Sequence, residues 1–348
     1  MSFAPLPDTI AALSPVFHNT YDIVEECGVG GSAFVLKVRR RVDSSIFAAK
    51  IIARDRLSRR GMVRTRHWGR VPPGFKADEE GALVVPVEAY VLRRIRHPGV
   101  VAFVDLFADE RYFYLIQEFH GSPWRIEDLQ PETSLPSPPI TPPADRTTFP
   151  RSSLNVPVTS AHTRAPPMRR SSSDLFECVE MHRNMSEATA QFIFLQVVAT
   201  VYDLAQVGLV HRDIKDENAV ATSDCRVKLI DFGSCVMYDP SQPPPIQHEQ
   251  HFFGTCTYAA PEVLLGLPHH MLPAEVWSLG ILLHVLLTGE HPFRSPADAT
   301  AGNRLPIKVR LSPAAYEVLG RCLSVDPEQR ISLEKLRSHP WVIGQTCV

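Results

Sequence analysis

His211-Arg-Asp-Ile-Lys-Asp-Glu-Asn218 and Asp231-Phe-Gly233 are the two stretches of sequence that decide the fold and the chemistry of this chain. Between them, Val227-Lys-Leu-Ile230 predicts a short buried strand. Transfer of a phosphoryl group from a metal-bound nucleotide needs a carboxylate to orient a hydroxyl, a cation on the moving phosphate and oxygen ligands for Mg²⁺. These residue types, in this order, predict phosphoryl transfer.

Length and composition set broad limits. The 348 residues are enough for two lobes, and 44% hydrophobic with 21% charged residues is ordinary for a globular enzyme. A formal net charge of −2 gives no reason to expect a nucleic-acid or membrane partner. Seven scattered cysteines without a C-x-x-C pair, and a start without a basic-then-apolar leader, predict reduced thiols and a cytoplasmic or nuclear location. The apolar run at 277–287 predicts a buried helix that is too short to span a bilayer.

The first third of the chain predicts a β-rich lobe. Strands are expected at 21–27, 34–38, 46–52, 100–106 and 112–119, and a helix with Val87, Tyr90, Val91 and Ile95 on one face. Residues 1–19 carry three prolines and predict a loose N-terminal tail. Residues 53–82 are rich in arginine and predict a solvated basic loop.

Residues 122–173 differ in kind from the rest. They hold eleven of the chain's 31 prolines and little periodic apolar content, so we expect a disordered insertion that regulators could bind. Helices are predicted after it, with starts at Ser186, Ser312-Pro313 and Asp326-Pro327. The predicted fold is α+β and bilobal, with one domain at 20–343 (N-lobe 20–121, insertion 122–173, C-lobe 174–343) and a short C-terminal tail at 344–348.

A glycine cluster follows the first predicted strand. Gly28, Gly30, Ala33 and Val35 form a G-x-G-x-x-A-x-V turn, in which glycines let the backbone come close to phosphates. Alone the signal is weak, because a plain hairpin is about equally compatible with it. A dinucleotide-binding Rossmann unit is disfavoured, because a strand and not a helix follows.

Taken together, these motifs resemble the catalytic domain of eukaryotic protein kinases and, within that group, PAS kinases, a branch close to the calcium/calmodulin-dependent kinases. The shared phrases are H-R-D-x-K-x-x-N, D-F-G, and the stretches at 118–121, 174–176, 228–234 and 275–280. The resemblance implies serine/threonine specificity, ATP and Mg²⁺ as cofactors, and protein substrates. Because the glycine cluster begins at Gly28, we expect no PAS sensor before it, so the family's sensing mechanism does not carry over.

The resemblance also assigns roles in catalysis. Asp213 would be the base that orients the substrate hydroxyl and Lys215 the cation on the γ-phosphoryl group, while Asn218 and Asp231 would hold Mg²⁺. For the nucleotide, it implies the glycine cluster, Ala48 and Lys50 on the third strand, Glu88 as the partner of Lys50, Gln117 as gatekeeper and Glu118 at the start of the adenine-binding hinge. Glu79 and Glu80 lie outside the helical pattern and compete poorly with Glu88.

Further acids are assigned to support and to substrate binding. Glu262 is expected to pair with Arg330, and Glu275 to accept backbone N–H bonds from the catalytic loop. Asp174 and Glu217 lie where basophilic kinases bind an arginine before the acceptor. This predicts a preference for arginine around three residues before the acceptor serine or threonine.

The loop after D-F-G suggests how activity is controlled. Residues 248–253 contain no serine or threonine, so Arg212 is expected to meet Glu249, which would give activity without loop phosphorylation. Two other classes stay open: a pseudokinase that acts as an interaction module, and a small-molecule kinase of the aminoglycoside or choline type. Lys50, Asp213, Asn218 and Asp231 argue against the first; Lys215, D-F-G and the A-P-E motif with Arg330 argue against the second.

Overall fold

The computed structural model describes residues 6–122, 174–183, 185–248 and 255–344. These residues form two compact units, one of 6–95 and 101–119 and one of 96–100, 120–122, 174–183, 185–248 and 255–344. The first is β-rich and the second mainly helical, which confirms the α+β bilobal class. Of the predicted insertion at 122–173 and the predicted C-terminal tail at 344–348, only Ser122 and Gly344 are among the described residues.

The first unit is built on an antiparallel sheet. Its helices and strands are α1 (Leu6–Ala11), α2 (Pro15–Thr20), β1 (Tyr21–Val29), β2 (Ala33–Arg40), β3 (Ile46–Ala53), β4 (Met62–Thr65), β5 (Leu83–Pro86), α3 (Val87–Arg94), β6 (Phe103–Ala108) and β7 (Tyr112–Glu118). Five strands pair in the order β1-β2-β3-β7-β6. The predicted strands and the helix are present, with shifts of up to three residues at their ends.

The two faces of this sheet are different. Residues directly opposite each other on antiparallel strands point to the same face, so the ladder sorts the side chains. One face, which we call the covered face, consists of Phe34, Leu36, Ala49, Ile51, Tyr114 and Ile116. The other, which we call the Lys50 face, consists of Val35, Ala48, Lys50, Leu115 and Gln117.

The N-terminal segment covers the first of these faces. Leu13 and Phe17 pack into the same apolar cluster as the covered face, and Phe17 is fully buried. Ser14 caps α2 by accepting a hydrogen bond from the Phe17 N–H, and its own N–H donates to the Tyr114 hydroxyl at 2.9 Å. The expectation of a loose tail over residues 1–19 was therefore wrong for residues 13–19, because Leu13 before α2 and Phe17 within it are both buried against the sheet.

The arginine-rich segment after β3 is also ordered. β4 and β5 form a hairpin, and Trp68 beyond β4 is only 3% exposed. Trp68 packs edge-on against Phe103, while the Arg93 guanidinium lies over its ring. The expectation of an irregular loop was wrong here, since Trp68 and the hairpin anchor the segment, but arginines such as Arg64 and Arg66 are exposed to solvent as expected.

The second unit is mainly helical. Its helices and strands are α4 (Leu175–His182), α5 (Glu187–Gln206), β8 (Leu209–Val210), β9 (Ala219–Ala221), β10 (Val227–Leu229), β11 (Val236–Met237), β12 (Ile246–Gln247), α6 (Pro261–Leu264), β13 (His269–His270), α7 (Met271–Thr288), α8 (Pro296–Ala301), α9 (Pro313–Cys322) and α10 (Leu333–Arg337). The strand predicted at 227–230 is present as β10. Ser186 and Ser312 cap α5 and α9 as predicted. Asp326 and Pro327 instead begin a turn in which the Asp326 carboxylate accepts the Glu328 N–H.

The central helix α7 is longer than the apolar run in the sequence suggested. By length and composition alone, α7 and α5 are both apolar enough to cross a membrane. Within the unit, however, 72% of the apolar window of α7 and 56% of that of α5 are buried against other elements. Burial of this kind is typical of core helices.

Candidate active site

The catalytic loop holds the Asp213 carboxylate from two sides. Asn218 Nδ2 donates to Asp213 Oδ2 at 2.8 Å and to the Asp213 carbonyl at 2.8 Å. Lys215 Nζ lies 3.2 Å from Asp213 Oδ2. The Thr255 hydroxyl donates to Asp213 Oδ1 at 3.3 Å and accepts from Lys215 Nζ at 2.7 Å. Three of the residues predicted for the catalytic step therefore meet, and Thr255 joins them.

Thr255 is a member of this site that no motif in the sequence predicted. It is the first described residue after the gap at 249–254 and lies six residues before Pro261 of the A-P-E motif. A hydroxyl directly after Gly254, just before that motif, was the available signal. Its hydroxyl can donate and accept at once, and it does so between the carboxylate and the ammonium.

Lys215 remains a cation in this setting. Burial alone would lower the pKa of Lys215, but the Asp213 and Glu217 carboxylates outweigh burial and raise that pKa above its ordinary value. The Glu217 carboxylate lies 3.4 Å from Lys215 Nζ. A protonated lysine beside Asp213 can stabilise negative charge that develops on a transferring group.

Glu275 on α7 supports the catalytic loop from below. Glu275 Oε1 accepts the His211 N–H at 3.0 Å, and Oε2 accepts the Arg212 N–H at 2.9 Å, which are the backbone contacts expected of this acid. Burial raises the pKa of Glu275 to about 7, against the lowering effect of the two N–H donors. Arg212 has a φ of +68°, a left-handed backbone that the surrounding contacts hold in place.

Asp231 starts the D-F-G turn next to this loop. It adopts a left-handed backbone with φ of +61°, and its side chain accepts the Gly233 N–H at 3.3 Å. The Ile230 N–H donates to the Asn218 carbonyl at 3.0 Å, which ties the two ends of the motif together. Asn218 and Asp231 offer the amide and carboxylate oxygens that Mg²⁺ prefers.

No group of three or more histidine, cysteine or acidic side chains that could hold a metal occurs in the described parts of the chain. Magnesium in nucleotide enzymes is held by one or two carboxylates plus the substrate phosphates and water. The pair of Asn218 and Asp231 fits that kind of site.

In the first unit, Lys50 of β3 meets Glu88 of α3. Lys50 Nζ donates to Glu88 Oε2 at 2.6 Å, and the two side chains are 13% and 4% exposed. The competing acid Glu80 contacts Arg64 at 2.9 Å and also Arg66. The structure thus brings Lys50 to the acid that the helical pattern favoured, despite the inserted hairpin between them.

The glycine cluster forms the turn between β1 and β2. The Gly30 N–H donates to the Ala33 carbonyl at 2.7 Å and closes the turn. A Cβ atom added at Gly28 would meet nothing within 4 Å, so packing does not require glycine there. That open side leaves room for a ligand to approach the backbone. Val35 pairs with Gly28, and Val35 and Ala48 both lie on the Lys50 face.

Glu118 is the last residue of β7, and its side chain is held by a hydrogen bond from the backbone. Its carboxylate accepts the Ala102 N–H at 3.0 Å, and its own N–H donates to the Ala102 carbonyl at 2.8 Å. Any contact from this position to an adenine ring would therefore come from its backbone carbonyl or its neighbours.

The two acids predicted to bind substrate are placed differently. Asp174 is 3% exposed and caps α4, where its carboxylate accepts the Glu177 N–H at 2.9 Å. Glu217 has a side chain that is 31% exposed. Of the two, Glu217 is the more accessible to a substrate.

Glu262 and Arg330 form a buried pair. Arg330 donates to the two Glu262 oxygens at 2.7 and 2.9 Å. It also donates to the carbonyls of Ser324 at 3.0 Å and Pro273 at 2.7 Å, and its guanidinium lies over the Trp277 ring. The pairing implied by the resemblance is present.

Comparison with known proteins gives the same family. The protein kinase domain family matches residues 168–342, half of the chain. The PAS domain-containing serine/threonine-protein kinase of Mus musculus is 27% identical over 96% of this chain, which covers 19% of that protein. Serine/threonine-protein kinase PSK2 of Saccharomyces cerevisiae is 36% identical over 92% of this chain and is covered to 24%. Serine/threonine-protein kinase prk-2 of Caenorhabditis elegans is 28% identical over 95% of it and is covered to 60%.

The chain thus spans from a fifth to three fifths of the length of these curated relatives. The matches to these relatives extend over both the β-rich and the helical unit, whereas the family model covers the catalytic loop and the rest of the helical unit from residue 168 to 342. The chain belongs to the protein kinase domain family, and within it the chain is similar to serine/threonine-protein kinases, among them the PAS domain-containing kinase of Mus musculus.

Proposed function

We propose that this chain is an ATP-dependent protein serine/threonine kinase that transfers the γ-phosphate to a hydroxyl of a protein substrate. The observation that carries the proposal is the Asp213 carboxylate, fixed by Asn218, Lys215 and Thr255 at 2.8–3.3 Å from its oxygens. A carboxylate so oriented can accept and direct the substrate hydroxyl, and Lys215 can neutralise charge on the phosphoryl group.

The remaining roles follow from the same proposal. Lys50, positioned by Glu88, would bind the α- and β-phosphates, and the glycine turn would cover them with backbone N–H groups. Asn218 and Asp231 would hold Mg²⁺, which supplies positive charge to the phosphate oxygens when it is bound.

Transfer of label from γ-³²P-ATP to a serine peptide tests the proposal. The wild-type chain should label the peptide, and Asp213→Asn should lower the rate by about 10²-fold or more, the order expected for loss of a general base. A small-molecule phosphotransferase would label an aminoglycoside or choline and leave the peptide unlabelled. An inactive wild-type chain that binds no nucleotide would show a pseudokinase.

We propose further that the substrate carries an arginine around three residues before the acceptor. The support is Glu217, an accessible acid beside Lys215, since a guanidinium pairs with a carboxylate through two parallel hydrogen bonds. Asp174, a buried helix cap, is the weaker of the two predicted contacts.

An arrayed peptide library tests the preference for arginine. Glu217→Gln should lower kcat/KM for the arginine peptide by about 10-fold, the size of a charge-assisted hydrogen bond, and leave an alanine peptide nearly unchanged. Asp224→Asn, at an acid whose side chain is 69% exposed in the same unit, is the matched control. Selection of proline or acidic peptides would refute the proposal.

We also propose that activity does not depend on phosphorylation of the activation loop. The support is the sequence at 248–253, which lacks serine and threonine, together with the contacts that Glu275 and Thr255 already make to the catalytic loop. The suggested partner of Arg212, Glu249, lies outside the described residues. Phosphatase-treated protein should keep its activity, and an essential phosphosite found by mass spectrometry in residues 234–254 would refute the proposal.

A further inference from the structure

Two arginines in the last turn of α3 bind the backbone of residues 66–82, which join β4 to β5 and which we call the connecting segment. Arg93 Nη2 donates to the Trp68 carbonyl at 2.8 Å, and Arg94 Nη2 donates to the His67 carbonyl at 2.9 Å. Hydrogen bonds from charged donors are stronger than those from neutral ones. These two bonds therefore tie the end of α3 to the connecting segment.

The Trp68 side chain strengthens the same contact. The Arg93 guanidinium lies over the Trp68 ring at 4.8 Å from its centroid. The ring is buried and packs edge-on against Phe103 of β6, with the ring centroids 6.1 Å apart. A buried indole contributes a large apolar contact area, so Trp68 links α3 to the sheet through one side chain.

α3 depends on such packing for its position. It is only eight residues long, and Pro86 before it provides no side-chain cap. Helices of this length are marginal on their own and are stabilised mainly by tertiary contacts. The contacts of its last turn therefore help to fix where its first turn lies.

The first turn of α3 carries Glu88, which accepts a hydrogen bond from Lys50 Nζ at 2.6 Å. Glu88 lies five residues before Arg93, or about 7.5 Å away along the helix axis. Because so short a helix moves as one body, a shift at Arg93 also moves Glu88. A misplacement of about 1 Å caused by a distant substitution can cost about 10²-fold in rate.

We infer that Trp68 is a positioning residue for the reaction, which acts through α3 to hold the Lys50–Glu88 pair in place. This inference rests on the proposed function and extends it to a residue of the connecting segment. Trp68 and Arg93 fix the last turn of α3, Glu88 in the first turn fixes the Lys50 ammonium, and that ammonium meets the phosphates of ATP.

Steady-state kinetics of Trp68→Ala test the inference, at a temperature at which circular dichroism shows that the variant is folded. The KM for ATP should rise by about tenfold, whereas the KM for the peptide should match the wild-type value. Trp68→Phe keeps an aromatic ring against Phe103 and should restore the wild-type KM for ATP. Arg93→Ala leaves the buried ring in place but removes its link to α3, so it should also raise the KM for ATP.

Phe75→Ala is the matched control for a loss of packing. Phe75 lies in the connecting segment and stacks on Phe113 of β7, with the ring centroids 5.5 Å apart. Its removal should lower the thermal midpoint and leave the KM for ATP unchanged.

A double-mutant cycle with Glu88→Gln tests the route through α3. In that background, Trp68→Ala should have little further effect on the KM for ATP, because the carboxylate through which Trp68 acts is already absent. The same tenfold rise in both backgrounds overturns the inference, as does a folded Arg93→Ala protein with the wild-type KM for ATP. Either result leaves the proposed function intact, whereas a wild-type chain that transfers no phosphate to the peptide overturns both.

Discussion

Two buried ion pairs, one in each unit, are built in opposite ways. In the helical unit, Arg330 is fully buried and reaches both oxygens of Glu262 together with backbone carbonyls. In the β-rich unit, Lys50 is 13% exposed and meets Glu88 through Nζ and Oε2 at 2.6 Å. A guanidinium fork fixes one geometry, whereas an ammonium on a flexible stem is a point charge with three rotatable donors.

This difference in geometry predicts that the Arg330 pair contributes to the stability of the fold and the Lys50 pair to the chemistry. The Arg330 guanidinium donates its hydrogen bonds to Glu262 and to backbone carbonyls in one fixed arrangement, so we expect this pair to stabilise the fold and not to bind a ligand. The Lys50 pair holds a cation on the Lys50 face, where Val35 pairs with both Lys50 and Gly28 of the open glycine turn, so we expect it to serve the nucleotide. Substitutions in each pair should therefore change different measurements.

Arg330→Met should produce the largest loss of stability. Removal of one partner leaves the Glu262 charge buried, which costs about 3–5 kcal/mol of the free energy of unfolding. Arg330→Lys should not rescue it, because an ammonium cannot make the forked contact. Urea unfolding of the isolated protein measures the loss.

The activity of the folded fraction gives the control for Arg330. At low temperature, kcat per folded molecule should stay close to the wild-type value in both variants. An Arg330 variant with the wild-type free energy of unfolding but without turnover would show that this pair serves catalysis and not the stability of the fold.

Lys50→Met should produce the largest loss of activity. Without the cation on the phosphates, kcat/KM for ATP should fall by about 10²–10³-fold, the size seen when one preorganised electrostatic contact is removed. Stability should also fall, because the buried Glu88 carboxylate loses the Lys50 ammonium that balances its charge.

The double variant Lys50→Met with Glu88→Gln separates these two effects. Replacing the charged Glu88 carboxylate by a neutral amide should recover much of the lost thermal stability and none of the activity. Recovery of phosphate transfer in the double variant would show that Lys50 serves only to balance Glu88.

Glu275 is a third buried acid, and its titration adds a pH-dependent measurement. Burial raises the pKa of Glu275 to about 7 from an ordinary value of 4.5, so between these values the folded state binds more protons than the unfolded state. The resulting stability is fully present below pH 4.5 and is lost as the pH rises through about 7. Relative to Glu275→Gln, which does not titrate, wild type should lose about 3 kcal/mol over this range.

Chemical denaturation of both proteins at several pH values measures this difference. Other titrating groups cancel in the comparison, because both proteins contain them. A difference between wild type and Glu275→Gln that stays flat from pH 4.5 to 7.5 would contradict the raised pKa.

Glu275→Ala and Glu275→Asp test the same acid through its hydrogen bonds. Alanine leaves the His211 and Arg212 N–H groups without their acceptor and should cost about 1–3 kcal/mol. Aspartate keeps the carboxylate, so the variant should keep its activity. A fully active, fully stable alanine variant would show that the loop does not need this support.

The parts of the fold that follow from periodicity could be predicted from the sequence. The pattern of apolar residues predicted the strands and α3, and a serine before a helical pattern predicted the caps Ser186 and Ser312. Each of these signals depends on neighbours within a few residues. The resemblance to protein kinases likewise predicted the contacts of Lys50 with Glu88 and of Arg330 with Glu262. In these cases, local chemistry and tertiary contacts agree.

What could not be predicted depends on distant partners. The burial of Phe17 depends on Tyr114 and Phe107, about a hundred residues later, and that of Trp68 on Phe103 and Arg93. Short apolar segments among prolines and arginines carry no local sign of such partners. Thr255 was missed for the same reason, since its role is defined only by Asp213 and Lys215 across the fold.

Arg64→Ala should have the smallest effect of these substitutions. It tests whether solvent exposure decides how much an ion pair contributes to stability. Arg64 contacts Asp78 at 2.8 Å and Glu80 at 2.9 Å, but all three side chains are between 39% and 60% exposed. In water, such pairs gain little and are screened by salt, so the thermal midpoint should match wild type at both low and high ionic strength. Trp68→Ala, a buried position in the same segment, should lower that midpoint clearly. A large, salt-sensitive loss in Arg64→Ala would mean that burial does not set the weight of an ion pair here, and the contrast between Arg330 and Lys50 would then need another cause.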